Sequence, residues 1–169
     1  MKKHITIIAL ALISLATVFS GCNKSDDNKT ESKKYTVRYE LDNKVDVGTA
    51  QATLSPCFKA NITYKDADGK TVELKDITLP WQKDITVEAP FDASVQAELT
   101  FNENELPESV VLVESGRIKV KKDKEGEEFF VPFGFGNNGS TMQKAIFLQR
   151  VQEQPDYLKF GGQHSIKVE

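Results

Sequence analysis

From Tyr35 onward apolar and polar residues alternate with a period of two, and this alternation most constrains how the chain can fold. In residues 35–41, 60–64 and 95–101 every second side chain is apolar. Such a period is typical of a strand with one buried face. Further strand-like segments are Val72–Leu79, Ile85–Glu88, Ser109–Val113, Arg117–Lys121, Glu128–Phe135 and Ser165–Val168. About eight or nine short strands predict an all-β fold, an antiparallel immunoglobulin-like β-sandwich.

Turn residues separate these segments. Asp66–Lys70, Ser115–Gly116 and Lys122–Glu127 each contain a glycine where a tight turn would need a positive φ, so each predicts a hairpin. Proline cannot donate a hydrogen bond to a strand ladder. Strand ends, bulges or sheet edges are therefore expected at Pro80, Pro90, Pro107 and Pro132.

The segment Met142–Gln154 fits two structures. Its apolar spacing suits one short helix, and the alternation of Ala145, Phe147 and Val151 suits a strand. Both interpretations stay open. Residues 104–108 predict a loop or short turn.

The first 22 residues predict an anchored protein. Lys2 and Lys3 precede an apolar run from Ile5 to Phe19, and small residues lead to Cys22. This arrangement resembles a bacterial lipoprotein signal peptide, which implies removal of residues 1–21 and acylation of Cys22. The run of about 15 residues is shorter than the roughly 20 that span a bilayer as a helix, so attachment is expected through lipid.

Residues 23–34 contain no apolar side chain and predict a flexible tether. The simpler interpretation is that residues 23–34 are only a spacer. Alternatively, Ser25–Asp27 resembles the acidic export signal of surface-exposed lipoproteins in Bacteroidota-type bacteria, which implies an outward-facing protein at the outer membrane. Residues 35–169 are then expected to form a single β-sandwich domain.

A second resemblance lies within residues 35–101. The strings Tyr35–Tyr39, Ala60–Tyr64, Asp66–Gly69 and Ile77–Trp81 are similar to the extracytoplasmic domain of the mycobacterial membrane protein small family. The resemblance implies an immunoglobulin-like sandwich with an accessory or binding role beside envelope exporters. The large ring of Trp81 follows Pro80 at an expected strand end, where core packing or an exposed ligand platform is possible.

Charge and composition argue against several functions. Without residues 1–21 the chain has 20 basic and 25 acidic side chains, a formal charge of −5, which gives no reason to expect nucleic acid. The remaining thiol, Cys57, is expected to be a small buried or half-buried side chain rather than a reactive one. His164 has no neighbouring ligand at zinc spacing, and Asp66–Gly69 lacks most of a calcium loop, so neither a metal nor another cofactor is expected.

No motif predicts catalysis. A nucleophile elbow is absent from the sequence. A carboxylate-based glycosidase would need two acids facing across a cleft. The candidates lie in polar, loop-like stretches that are typical of solvated charges: Glu103, Glu105, Glu108, Glu127 and Glu128.

The last third of the chain predicts the binding surface. If Phe129, Phe133 and Phe135 face inward, Phe130 points outward, and Asn137 and Asn138 lie in a glycine-rich loop nearby. These residues are candidates for ligand contact. The sequence therefore predicts a lipid-anchored, non-enzymatic binding or accessory protein of the cell envelope, which contacts another envelope protein or an extracellular ligand. Surface carbohydrate binding is the alternative, and a glycosidase is a more remote one.

Overall fold

The structure is a computed structural model, and it describes residues 33–122, 126, 128–134 and 139–167. These residues belong to one unit of the chain, Glu31–Glu169. Cys22, Asn137 and Asn138 lie outside the described residues, as do the predicted signal segment and the tether up to residue 32. Predictions that depend on them stay predictions.

Twelve strands, one α-helix and one 3₁₀ turn form the described part of the chain. The strands are β1 (Lys34–Asp42), β2 (Lys44–Val47), β3 (Ala50–Thr53), β4 (Phe58–Lys65), β5 (Thr71–Ile77), β6 (Trp81–Glu88), β7 (Phe91–Phe101), β8 (Ser109–Leu112), β9 (Ser115–Lys122), β10 (Glu128–Phe133), β11 (Ser140–Gln143) and β12 (Lys159–Ile166). The 3₁₀ turn is Glu103–Glu105, and helix α1 is Lys144–Glu153. Within these residues no helix is long and apolar enough to cross a membrane.

Two four-stranded antiparallel sheets form the body of the fold. Sheet I has the order β10-β9-β1-β6, and sheet II has the order β12-β7-β4-β5. A β2-β3 hairpin and a β8-β11 pair complete the strand pairing. The predicted all-β antiparallel sandwich is therefore confirmed.

The core lies between the inner faces of the two sheets. Along β1 burial alternates as the sequence predicts, and the inward side chains are Tyr35, Val37, Tyr39 and Leu41. Rings from opposite sheets meet there: the centroids of Tyr39 and Tyr64 are 5.7 Å apart. Each fully buried apolar side chain contributes about 1.5–3 kcal/mol, so this inner layer supplies most of the driving force for folding.

Helix α1 settles the open interpretation of residues 142–154. Phe147 is fully buried, and its ring lies 5.7 Å from that of Phe58 and 5.1 Å from that of Phe101. Val151, four residues later and on the same face, is also packed against the core. Ile146 is 45% exposed, which a helix allows because it lies on a different face.

Nine of the twelve strands overlap a predicted one. The three that the sequence did not predict are β2, β3 and β11, each four residues long and mostly exposed or half-buried. Short exposed strands bury too little for a clear alternation. The last strand also begins at Lys159 rather than Ser165, because Gly161 and Gly162 interrupt its pattern.

The hairpin at Asp66–Lys70 is confirmed. Gly69 has a φ of 75°, and its N–H donates to the Asp66 carbonyl oxygen at 2.9 Å. Strands β9 and β10 are antiparallel neighbours, as Lys122–Glu127 predicted.

The prediction of a hairpin at Ser115–Gly116 is wrong. Both residues lie inside β9, which pairs with β1 and β10, whereas β8 pairs with β11. A Cβ on Gly116 would stand 2.5 Å from the Glu40 carbonyl oxygen and 2.6 Å from the Phe133 ring. Glycine is required there for close packing and not for a turn.

The prolines occupy the expected places. Pro80 directly precedes β6, Pro90 separates β6 from β7, and Pro107 precedes β8. Pro132 lies in β10, at an edge of sheet I. A missing N–H is tolerated at each of these positions.

Tyr39 gives a test of the core. Its hydroxyl donates to the Lys65 carbonyl oxygen at 2.8 Å, and burial raises its pKa, so it stays a donor. We expect Tyr39→Phe to lower the free energy of unfolding by about 1 kcal/mol in urea titrations, because the part-buried Lys65 carbonyl loses a partner. Tyr35→Phe is the control, since Tyr35 is also a core residue but its hydroxyl has no hydrogen-bond partner among the described residues. Equal effects would contradict this role.

Candidate functional site

Two exposed phenylalanines lie side by side on an edge strand. Phe129 is 50% exposed and Phe130 is 57% exposed, whereas the other described phenylalanines are buried or half-buried. Their strand, β10, pairs with β9 on one side and has no hydrogen-bonded strand on the other among the described residues, although β12 of sheet II comes close to it. We call these two residues the Phe129–Phe130 edge.

The two rings face opposite ways because neighbours in a strand alternate. Phe129 shares the side of Phe133, which is buried, and its ring centroid lies 5.0 Å from that of His164 on β12. Phe130 lies on the outer side, in register with Lys119 of β9. The outward orientation of Phe130 therefore agrees with the sequence, but Phe129 is only half covered, since it lies where the sandwich opens at its edge.

Sequence reasoning grouped Phe130 with Asn137 and Asn138. The structure places Phe130 in β10 and describes neither asparagine. A joint ligand site for the three residues stays a prediction.

The outer face of sheet I carries a network of ion pairs centred on Glu40. The Glu40 carboxylate lies 2.9 Å from Arg117 Nε and 3.0 Å from Lys119 Nζ. Arg117 also donates to Asp42 at 2.8 Å. Strands β1 and β9 thus present charges that neutralise one another at the centre of this face.

The strongest pair on this face joins β1 to β6. Arg38 donates from Nε and Nη2 to the two carboxylate oxygens of Asp84 at 2.6 and 2.8 Å. This bidentate contact lowers the pKa of Asp84 and raises that of Arg38. Both side chains are well exposed, so the contribution of the pair to stability is modest.

A polar groove of about 630 Å³ crosses the outer face of sheet II. Strands β4, β7 and β12 supply its lining. The polar side chains that line it are Asn61, Thr63, Ser94, Gln96, Glu98, Lys159 and Gln163.

The sequence missed this groove. Asn61, Thr63, Gln96 and Glu98 are the polar positions of the two alternating runs, so their outward orientation was readable. Their grouping depends on the strand register, which places Thr63 opposite Gln96 and Asn61 opposite Glu98. A single sequence does not report which residues of two strands lie opposite each other.

Three other candidates from the sequence are Trp81, Cys57 and the Asp66–Gly69 turn, and their contacts are with neighbouring protein groups. The half-buried Trp81 packs on the core with its ring 5.5 Å from that of Tyr64. Cys57 is half-buried, and burial raises the pKa of its thiol. Asp68 lies 2.6 Å from Lys70 Nζ, and the described residues contain no group of three or more His, Cys, Asp or Glu side chains arranged to hold a metal.

The carboxylates considered for a glycosidase lie on different elements. Glu103 and Glu105 belong to the 3₁₀ turn, Glu108 precedes β8, and Glu128 begins β10. Glu127 lies outside the described residues.

Comparison with known proteins adds no family. A scan against protein-family models and a search of curated proteins each found no match for this chain. A proposal for its function therefore rests on the residues and contacts of the chain itself.

The Arg38–Asp84 pair predicts a pH dependence. The folded pKa of Asp84 is lowered relative to about 3.9 in an unfolded chain. The contribution of the pair is therefore complete above about pH 4 and is lost as the pH falls through the lower, folded pKa. We expect Asp84→Asn to cost about 0.5 kcal/mol at pH 7 and progressively less as the pH falls below about 4, measured by urea unfolding.

Glu88→Gln is the matched control for this experiment. Glu88 is also exposed on β6, but it has no ion-pair partner among the described residues. A pH-independent cost of Asp84→Asn, or an equal cost of Glu88→Gln at pH 7, would count against the pair.

Proposed function

We propose that this chain is a lipid-anchored, non-catalytic binding protein of the cell envelope, which contacts another envelope protein through the Phe129–Phe130 edge. The observation that carries the proposal is the exposure of two adjacent large aromatic rings on an edge strand. The other exposed large apolar residues that the structure describes, Val47 and Ile146, lie on separate elements.

Contact at this edge has a clear physical basis. Burying a phenylalanine side chain contributes about 1.5–3 kcal/mol, and aromatic residues are enriched in protein interfaces. An edge strand also offers backbone groups to an added strand of the partner. Because Pro132 has no N–H, strand addition would be confined mainly to the first half of β10, which is where the two rings lie.

The anchor and the location rest on the sequence. The basic start, the apolar run and Cys22 support lipidation at Cys22, and Ser25–Asp27 supports export to the outer surface of the outer membrane. Two or more acyl chains would hold the protein stably, whereas one is marginal.

A carbohydrate platform at β10 is less favoured. A sugar site that works by ring stacking needs its aromatic rings on one face, and Phe129 and Phe130 point to opposite faces of their strand. Protein contact suits two rings that flank an edge, because a partner strand presents side chains to both faces.

Lipidation is tested by replacing the acylated residue. We expect Cys22→Ala to abolish labelling of the protein with palmitate and to move it from the detergent phase to the aqueous phase in Triton X-114 partition, since no acyl chain remains. Cys57→Ala is the control and should keep both properties, because Cys57 is half-buried in the folded domain. Retained labelling of Cys22→Ala would contradict the anchor.

Partner contact is tested by photocrosslinking in intact cells. With p-benzoylphenylalanine in place of Phe130 we expect one discrete adduct of defined mass, which Phe129→Ser removes because half of the apolar contact is lost. The same label in place of Gln82, exposed on the opposite edge strand of sheet I, is the control and should give none. The proposal fails if position 130 gives no adduct or the same products as position 82.

A further inference from the structure

The floor of the groove on sheet II is formed where β12 packs closely against β7 at Gly161. Gly161 of β12 lies in register with Gln96 of β7, which pairs with Thr63 of β4. A Cβ on Gly161 would stand 2.5 Å from the Val95 carbonyl oxygen and 2.9 Å from Gln96 Cα. Because only glycine lets β12 approach β7 so closely, the middle of this strand presents no side chain, and the groove opens between Lys159 and Gln163.

Three polar side chains of this groove are uncommitted, whereas Lys159 is paired with Asp156 at 2.8 Å. The side chains of Thr63, Gln96 and Gln163 make no hydrogen bond to any residue that the structure describes. Asn61 uses its carbonyl oxygen to accept from the Asp76 N–H at 3.2 Å, which leaves its amide donors. The outer face of sheet I differs, since a group of its charged side chains around Glu40 is paired.

The lining chemistry narrows the class of ligand. Glu98 and Lys159, in register with each other, are the only charged side chains that line the groove in the described part of the chain. A phosphate or an acidic polymer would need clustered bases. An apolar ligand would need exposed apolar side chains, and the described ones lie elsewhere. Amides and hydroxyls both donate and accept, which suits vicinal hydroxyl groups.

We propose that the groove on the outer face of sheet II, lined by Asn61, Thr63, Gln96, Glu98 and Gln163, binds a neutral oligosaccharide. A volume of about 630 Å³ lies within the range of roughly 300–1,000 Å³ that is typical of small-ligand sites. Gln96 lies opposite the bare Gly161 position on the adjacent strand, and Gln163 lies two residues further along β12, so both amides border the same groove. This site is separate from the Phe129–Phe130 edge and does not depend on its role.

The test uses the full-length protein in a detergent that contains no sugar. It is applied to an array of neutral and acidic oligosaccharides and of extended peptides, and the best neutral oligosaccharide is then titrated by calorimetry. The groove variant is Gln96→Ala with Gln163→Ala; both side chains are exposed, so the fold should be kept. The control is Gln82→Ala, an exposed amide on a strand of the other sheet.

We expect a neutral oligosaccharide to bind, and the groove variant to weaken its affinity roughly tenfold or more, since two hydrogen-bonding side chains are lost. Gln82→Ala and the double variant Phe129→Ala, Phe130→Ala should bind as the natural chain does. The inference is overturned if no neutral oligosaccharide binds, if acidic oligosaccharides or peptides bind in preference, or if the groove variant binds normally. Unchanged unfolding midpoints show that a loss is not a folding defect.

Discussion

The meeting of two apolar sheet faces is the constraint on which the rest of this structure depends. Each inner face is apolar at every second residue, so neither sheet is stable in water alone. Their contact fixes the aromatic layer in which Tyr39 of β1 lies beside Tyr64 of β4, and Tyr64 lies beside Trp81 of β6. Helix α1 is held by the same principle, since Phe147 completes a cluster with Phe58 and Phe101. Once the inner faces are paired, function is left to the outer faces and the edges.

The two outer faces differ in what their polar groups do. On sheet I the carboxylate of Glu40 serves Arg117 and Lys119, and Arg38 is held by Asp84. Such a face is satisfied by itself and gains little from a ligand, because existing pairs would have to be broken first. On sheet II, Gln96 and Gln163 have no such partner among the described residues. A ligand there replaces water alone, which is why the groove is the better candidate for a small polar ligand.

The edge of sheet I offers a different kind of contact. Phe129 and Phe130 expose apolar area on β10, which is hydrogen-bonded to a strand on one side only. A protein anchored through Cys22 would be held near the membrane and would meet other envelope proteins at high local concentration. The edge belongs to sheet I and the groove lies on the outer face of sheet II, so the proposed protein contact and the proposed oligosaccharide contact use different surfaces.

The order of amino acids alone predicts the class of fold and the positions of many turns and strand ends. The alternation in β1, β4 and β7 reports which side chains are buried, because burial imposes that period directly. Gly69 and the four prolines at strand ends or on an edge strand were readable for a related reason, since their backbone restrictions are local. The predicted anchor at Cys22 is likewise local, since it depends on a short contiguous pattern.

Other features of the fold depend on contacts between residues that are far apart in the sequence, and local patterns do not report such contacts. The exposed strands β2, β3 and β11 bury too little for an alternation to form, and the glycine of Ser115–Gly116 serves the close approach of Phe133 rather than a turn. Helix α1 was fixed by the ring cluster around Phe147. The groove needed the register of three strands, because Thr63, Gln96 and Gly161 are far apart in sequence and become neighbours only when β4, β7 and β12 pair.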